Sequence, residues 1–185
     1  VQAGMTPPAP PLHLPVVPAA PNRPPAARPV PAKAASTPDS LFGEALHRLL
    51  EIRLTGDAGW RQAQLLRVGR EFNLAAPTVH HAAAMAQRIL TGEGAWAWDE
   101  RAVDWQANEV ELVYQGELLR LDRLVRRGGT GDWWVLDFKS ASRPERDPDL
   151  LAQMQRYRLA VQAAHPGTAV QAAFLTGQGR LVVVP

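Results

Sequence analysis

The chain has 185 residues, of which 46% are hydrophobic, a formal net charge of +2 and no cysteine. This length suits one domain with a substantial core, and the lack of cysteine excludes disulfides, thiolate zinc sites and cysteine-ligated iron–sulfur clusters. No run approaches 18 consecutive apolar residues, so we expect no membrane span, no membrane partner and an intracellular location.

The first 38 residues differ in composition from the rest. They contain 12 of the 17 prolines and three basic residues but no acidic one. Fixed proline φ angles and the absence of a periodic apolar face predict a disordered, partly polyproline II linker. Residues 39–185 form the predicted domain and carry 17 basic against 18 acidic residues, so DNA binding there would depend on a local arginine patch.

Three helices are predicted in the first half of the domain. Asp39 or Ser40 is the expected N-cap of an amphipathic helix, and His47 lies at the edge of its apolar face. Two more helices, at roughly 60–70 and 78–90, form a predicted helical insertion. The adjacent histidines that follow Val79 point about 100° apart on a helix, so they cannot form an i, i+4 metal pair and are interpreted as structural or solvent-facing.

The second half of the domain is predicted to form a sheet. The tryptophan-rich segment 95–105 is left irregular, and its tryptophans could stack on unpaired bases or pack on a partner. From Asn108 the period of apolar residues changes from 3.6 to 2. It returns to 3.6 for one helix and is 2 again in the last two strands. The predicted elements are strands at 108–114, 117–127 and 132–140, a helix at 148–165, and strands at 168–176 and 180–184. The order α, helical insertion, β, β, β, α, β, β is typical of a mixed α/β domain with one central sheet.

Lys139 is the only lysine after residue 33, in a domain whose other basic residues are arginines. Residues two apart on a strand share a face, so Asp137 and Lys139 project together. If the preceding hairpin turns around Gly129, Asp122 pairs with Asp137 at close cross-strand distance.

Two opposed carboxylates repel each other unless a cation lies between them. Oxygen ligands suit Mg²⁺ or Mn²⁺, and a neighbouring lysine can orient a water or neutralise charge on a phosphate. The simpler interpretation, that Asp137 and Lys139 form a surface ion pair, is weakened by the second aspartate, by the apolar runs that contain both aspartates, and by the choice of lysine over arginine.

Four pieces of the sequence resemble a known family. "GEALHRLLE", "LDR", "LDFKS" and "QMQRY" occur in the order and with the spacing of the PD-(D/E)xK nuclease superfamily. Within it, they resemble the RecB/AddA-type nuclease domains at the C-terminus of UvrD-like helicases. The resemblance implies a restriction-endonuclease-like core, αβββαβ, with a helical insertion after the first helix. Many members have glycine where this chain has Leu119.

The resemblance also implies roles for individual residues. Asp122, Asp137 and Lys139 would form the catalytic set, in which Lys139 positions the attacking water. The metal ligands would be His47, the two aspartates and the Phe138 carbonyl.

Further residues are assigned with less support. Gln153 and Tyr157, which are i, i+4 neighbours on one helical face, would contact DNA or support the site. Arg123 belongs to an arginine cluster, with Arg120 and two others, that could hold phosphates or merely solvate a hairpin edge. Glu109 would correspond to a glutamate of the family's first strand.

The implied activity is Mg²⁺- or Mn²⁺-dependent hydrolysis of DNA, as an exonuclease rather than an endonuclease, in repair and recombination. The expected partners are DNA ends and a UvrD-like helicase domain, which we expect in the same polypeptide because the chain begins with Val1 and reads as a piece of a longer one. The expected location is the cytoplasm, at the nucleoid. Two alternatives stay open at this point: a degenerate nuclease fold that only binds DNA or protein, and hydrolysis of RNA or another phosphodiester.

Overall fold

Helices and strands follow the predicted order in the computed structural model, which describes residues 37–53 and 59–185. Apart from Thr37 and Pro38, the predicted linker lies outside the described residues. The described elements are α1 Pro38–Glu51, α2 Gln62–Glu71, α3 Ala76–Thr91, a 3₁₀ helix Ala95–Trp98, β1 Val103–Tyr114, β2 Glu117–Arg127, β3 Trp133–Lys139, a second 3₁₀ helix Pro144–Arg146, α4 Pro148–Ala164, β4 Val170–Thr176 and β5 Leu181–Val183. Within this part of the chain, no helix is both long enough and apolar enough to span a membrane.

The start of α1 differs from the prediction by two residues. Thr37, rather than Asp39 or Ser40, is the N-cap, and its hydroxyl accepts a hydrogen bond of 3.2 Å from the Ser40 amide. Pro38 takes the first helical position, where its missing N–H leaves no hydrogen bond unmade. Asp39 therefore lies in the first turn, where a negative charge interacts favourably with the helix dipole.

The five strands form one mixed sheet in the spatial order β1-β2-β3-β4-β5. All neighbouring pairs are antiparallel except β3 and β4, which are parallel and are connected through α4. A parallel pair needs such a crossover, since a tight turn cannot return the chain to the same end of the sheet. The predicted mixed α/β fold with a central sheet and a helical insertion is confirmed.

The tryptophan-rich segment 95–105, expected to be irregular, consists largely of a 3₁₀ helix and the start of β1. Residues Ala95–Trp98 form a 3₁₀ helix, and β1 begins at Val103, five residues earlier than predicted. The pairing shifts by one residue between Val103 and Trp105, so the alternation of apolar residues is interrupted at the start of the strand. This irregularity explains why a period of 2 is visible only from Asn108 onward.

Two hydrophobic cores lie on the opposite faces of the sheet. One contains residues of α1, α2 and α3 together with Val125, Leu136 and Leu175. The other contains Met154 and Val161 of α4 together with Leu124, Val135 and Phe174. Because successive side chains alternate between faces, neighbouring residues on β2 and β3 serve different cores. Leu119 and Leu121 belong to the same core as Leu124, so the alternation of β2 is interrupted between Leu121 and Leu124, where Asp122 and Arg123 lie.

Two hairpins fix which residues face each other across the strands. Gln115 and Gly116 both have positive φ, 51° and 80°, as a two-residue type I′ turn requires, and the resulting register places Glu109 opposite Asp122. In the next hairpin Arg123 pairs with Leu136, so Asp122 stands opposite Asp137, which confirms the predicted register. Three carboxylate residues therefore lie side by side on β1, β2 and β3.

Candidate metal centre

Asp137 and Lys139 lie at the C-terminal end of β3, which is the central strand of the sheet. The Lys139 ammonium is 2.7 Å from Asp137 Oδ2. The Asp137 side chain is 4% exposed, whereas that of Lys139 is 21% exposed. The contact has the distance of an ion pair but not the alignment of a hydrogen bond, so Asp137 Oδ2 is buried without a hydrogen-bond partner. Such an oxygen is costly to bury unless a further cation or donor completes its surroundings.

Asp122 is held more firmly than Asp137. Its Oδ2 accepts a hydrogen bond of 2.8 Å from the Phe138 amide, and its Oδ1 lies 3.3 Å from His47 Nδ1. The bond to the Phe138 amide crosses from β2 to β3 and fixes the carboxylate against the neighbouring strand. Asp122 therefore faces both His47 and the end of β3.

His47 reaches this point from α1. Its Nε2 donates a hydrogen bond of 2.9 Å to the Phe138 carbonyl, and its ring meets the Phe138 ring edge to face. A histidine whose Nε2 proton is held in this way presents Nδ1 as its ligand atom. The Phe138 carbonyl, predicted as a backbone ligand, thus orients His47 in this structure. Nδ1 points at the carboxylate of Asp122.

The charged groups at the centre shift each other's pKa values. Burial and the neighbouring charge of Asp122 raise the pKa of Asp137 to about 6, although Lys139 acts in the opposite direction. Burial also favours the protonated form of Asp122, but its hydrogen bond to His47 and the charge of His47 lower its pKa below the usual value. Burial lowers the pKa of His47, and the contacts with Asp122 and the Phe138 carbonyl raise it above the ordinary value. Asp122 is thus the member of the pair that keeps its charge, and Asp137 is the member whose charge is disfavoured.

Glu109 joins the centre from β1. Ligand atoms of His47, Glu109 and Asp122 all lie within 4.8 Å of one another. Glu109 has φ of +52°, although the register is the same before and after it. Left-handed backbone at a non-glycine strand residue is strained, and such strain concentrates at functional sites.

The donor set fits a divalent cation that prefers oxygen ligands. Among the described residues, the tight cluster is His47, Glu109 and Asp122, rather than the predicted His47, Asp122 and Asp137. Asp137 stands opposite Asp122 with a buried oxygen that lacks a hydrogen bond. Carboxylates with one imidazole suit Mg²⁺ or Mn²⁺, and a cation would relieve the repulsion that raises the pKa of Asp137. Glu109 was assigned from the resemblance alone. A two-residue turn at Gln115 and Gly116, if predicted from the sequence, would have placed Glu109 opposite Asp122.

Arg123 does not reach the centre. It is 2% exposed, so it offers no surface to DNA. Its guanidinium donates to Asn108 Oδ1 at 2.6 Å, to the Ala97 carbonyl at 2.7 Å and to Gln106 Oε1. It also lies over the Trp98 ring, 4.5 Å from the centroid. Burial lowers its pKa to about 10. The buried position does not support a DNA contact for Arg123, and the alternative prediction, that it supports the site, stays a prediction.

The predicted pair on α4 lies beside the carboxylates. Gln153 Nε2 donates a hydrogen bond of 2.7 Å to the Tyr157 hydroxyl oxygen. Tyr157 is buried, and its pKa is raised by burial and by the nearby charges of Asp137 and Asp122. The two residues therefore border the site from the second face of the sheet. Leu119 is nearly buried and pairs regularly with Leu112, so no glycine is needed at that position.

A cavity of about 620 Å³ opens beside His47 and Asp122. Its walls come from α1, from the end of α2 and from β1 and β2. Two arginines line it. Arg48 is held by Glu51 at 2.7 Å and by Glu71 at 3.5 Å, whereas Arg120 contacts Glu109. The candidate metal centre is thus accessible from a cleft large enough to admit part of a polymeric substrate.

Comparisons with known proteins agree with this geometry. No curated protein matches the chain at a significant level. The family model of the PD-(D/E)XK nuclease superfamily matches residues 25–182, which includes every residue of the candidate centre. The match also extends into the segment predicted as linker. With this match over most of its length, the chain belongs to the PD-(D/E)XK nuclease superfamily.

Proposed function

We propose that the domain is a Mg²⁺- or Mn²⁺-dependent deoxyribonuclease. The observation that carries this proposal is the pair of opposed carboxylates, the half-buried Asp122 and the buried Asp137, with Lys139 on the strand face of Asp137 and His47 beside them. Burial of two like charges is unfavourable without a cation, and an ordinary surface ion pair needs no burial at all. Membership of the nuclease superfamily supports the same conclusion.

Each group at the centre has a role in this proposal. His47, Glu109, Asp122 and Asp137 would hold the cation, which supplies positive charge to polarise the phosphoryl group and to offset charge that develops during hydrolysis. Lys139 is partly exposed, so its ammonium can donate hydrogen bonds to the attacking water and keep it directed at phosphorus. Tyr157, fixed by Gln153, would limit the space available to the substrate on the side of α4.

The proposed context is a helicase-nuclease that processes DNA ends. The four sequence pieces that resemble RecB/AddA-type domains support this context, and a UvrD-like helicase domain in the same polypeptide is the proposed partner. The substrate would be strands delivered from DNA ends, so exonuclease activity is favoured over endonuclease activity. Such a protein would act in the cytoplasm, at the nucleoid.

Lys139→Arg tests the proposed chemistry. Arginine keeps the charge, but its planar head is longer and stays protonated, so it cannot take the place of a compact ammonium beside Asp137. We expect the variant to degrade linear DNA at least about 100-fold more slowly than the wild type, as for loss of positioned acid-base chemistry. Mn²⁺ affinity should be retained. The measurement is Mg²⁺-dependent release of nucleotides from end-labelled linear duplex and single-stranded DNA.

Two controls make the result decisive. Covalently closed circular DNA should resist the wild type if the enzyme requires ends, and EDTA should abolish all cleavage. Near-normal cleavage by Lys139→Arg would contradict the role of Lys139. A wild-type chain that binds DNA and Mn²⁺ but cleaves neither linear nor circular DNA would instead identify a binding module.

A further inference from the structure

Arg120 forms an ion pair with Glu109 although most of its side chain is exposed to solvent. Its Nε contacts Glu109 Oε2 across β1 and β2, yet its side chain is 66% exposed. Ion pairs between exposed side chains contribute little to stability, because solvent screens them and ordering the long side chains costs entropy. The pair can therefore be exchanged for another contact at little cost.

Glu109 has a second possible partner. Its carboxylate contacts the exposed Arg120, and a ligand atom of Glu109 lies within 4.8 Å of ligand atoms of both His47 and Asp122. The positive φ of Glu109 holds it in a conformation that a strand residue rarely adopts. A surface ion pair does not require such strain, so the backbone conformation indicates that the carboxylate serves the cluster.

The two uses of the Glu109 carboxylate compete. A divalent cation among His47, Glu109 and Asp122 would take up the negative charge that attracts Arg120. The cation would also repel the guanidinium, because both carry positive charge. Metal binding is therefore expected to weaken the contact between Arg120 and Glu109.

The position of Arg120 suits it to a new partner. It lies two residues before Asp122 on the same face of β2, about 7 Å away along the strand. It also lines the cavity beside the cluster. The other arginine of this cavity, Arg48, is occupied by two glutamates that do not belong to the cluster. An arginine released at this place can donate two parallel hydrogen bonds to a phosphate.

We propose that Arg120 is a metal-dependent phosphate-binding residue. In the metal-free domain it is the counter-ion of Glu109, and metal binding at His47, Glu109 and Asp122 releases it to hold a phosphate of the substrate strand. This inference rests on the proposed function, since it requires the metal and the nucleic acid. By linkage, metal and phosphate binding then favour each other through Arg120.

The test compares Arg120→Gln with Arg126→Gln in the full-length chain. Arg126 is a matched control because it is also an exposed arginine of β2, paired at 3.7 Å with an acidic residue of β1, Asp104. Asp104 is not part of the cluster. Both substitutions are made in a Lys139→Met background so that DNA stays intact. Calorimetry gives Mn²⁺ affinity without DNA, and fluorescence anisotropy of a labelled single-stranded oligonucleotide gives DNA affinity in EDTA and in Mn²⁺.

For Arg120→Gln we expect Mn²⁺ affinity to rise about threefold, as for loss of a weak competing ion pair. DNA affinity should be unchanged in EDTA and should fall about tenfold in Mn²⁺, as for loss of a bidentate phosphate contact. Arg126→Gln should change DNA affinity equally in both conditions, if at all, and leave Mn²⁺ affinity unchanged.

Three results would overturn the inference. Equal loss of DNA affinity with and without Mn²⁺ would make Arg120 a permanent phosphate contact, and a rise in Mn²⁺ affinity without any effect on DNA would make it only a counter-ion. In both cases the proposed nuclease function would stand. If the parent protein bound no Mn²⁺, the proposed function would fail together with the inference.

Discussion

Asp122 and Arg123 are consecutive residues of β2, but the groups that surround their two charges differ. Arg123 is enclosed by three oxygen acceptors and a tryptophan ring, none of which is charged, although its Nε has no hydrogen-bond partner. Asp122 faces two other carboxylates, an imidazole and the ammonium of Lys139. Arg123 is thus a buried cation held by neutral groups alone, whereas Asp122 lies among charged groups of both signs.

Packing is looser beside His47 than in the core of the first helices. A methyl group added at Gly94, beside the core of the first helices, would lie 2.4 Å from Leu175 Cδ2. A methyl group added at Gly43, which lines the cavity near His47, would meet nothing within 4 Å. Unused space, unsatisfied oxygen and opposed charge thus coincide at the candidate metal centre. Such features are expected where a protein reserves binding capacity for a ligand instead of using it for stability.

The largest effect on stability is expected from Arg123→Met. Methionine retains the apolar stem but leaves the buried acceptors on Asn108, Gln106 and Ala97 without a donor. Leaving such groups unsatisfied, and removing the cation over Trp98, should lower the free energy of unfolding by about 3 kcal/mol. Urea unfolding at pH 7 measures the change.

Arg126→Met provides the comparison on the same strand. Arg126 is 46% exposed and its ion pair with Asp104 is long, so the expected change is below about 0.5 kcal/mol. Similar losses for both variants would mean that the contacts of Arg123 contribute no more to stability than a surface ion pair.

A smaller and opposite effect is expected from Asp137→Asn in metal-free protein. The folded pKa of Asp137, about 6, lies above the unfolded value of 3.8. Folding therefore favours its protonated form, and the stability that this form provides is present below pH 4 and is lost as the pH rises through about 6. Asparagine resembles the protonated form. The free energy of unfolding of the variant should exceed that of the wild type by about 2 kcal/mol at pH 8. This difference should shrink as the pH falls to 4.

Asp122→Asn should behave in the opposite way. The lowered pKa of Asp122 means that its charged form stabilises the fold above the unfolded pKa and loses this effect as the pH falls through the folded pKa. We expect a loss of about 1 kcal/mol at pH 7. Saturating Mn²⁺ should stabilise the wild type by about 2.7 kcal/mol at a hundredfold excess over Kd and should stabilise both variants less. If the free energy of unfolding of the two variants changed with pH in the same way, the charge would not be held by Asp122 in preference to Asp137.

The sequence was sufficient for the fold and for one pairing of the site. Element order followed from the change of period, and the Asp122–Asp137 register followed from one hairpin turn. These features depend on local patterns and on the strict alternation of strands. The role of a given charged residue was harder to predict, because the alternation of β2 is interrupted between Leu121 and Leu124, where Asp122 and Arg123 lie.

The features missed at the sequence level depend on tertiary contacts. The partners of Arg123 come from β1 and from the 3₁₀ helix at Ala95–Trp98, a segment without a recognisable period. The inclusion of Glu109 in the cluster depends on a positive φ, which sequence composition does not indicate for glutamate. The resemblance named Glu109 and the sequence places Arg123 beside Asp122, but the direction of each side chain required the three-dimensional structure.

The smallest effect is expected from Gly43→Ala, and it tests whether the open space beside His47 has a use. Alanine in a helix interior is more favourable than glycine by about 0.5–1 kcal/mol, and the added methyl group meets no atom here, so urea unfolding should show a higher midpoint with an unchanged m-value. The same change at Gly94, where the methyl group would collide with Leu175, should instead destabilise the protein. If the space admits the substrate backbone, Gly43→Ala should also slow DNA cleavage several-fold while raising stability. A stabilised variant with undiminished cleavage would mean that the substrate does not approach α1 at this position, and that the space beside His47 is not part of its path.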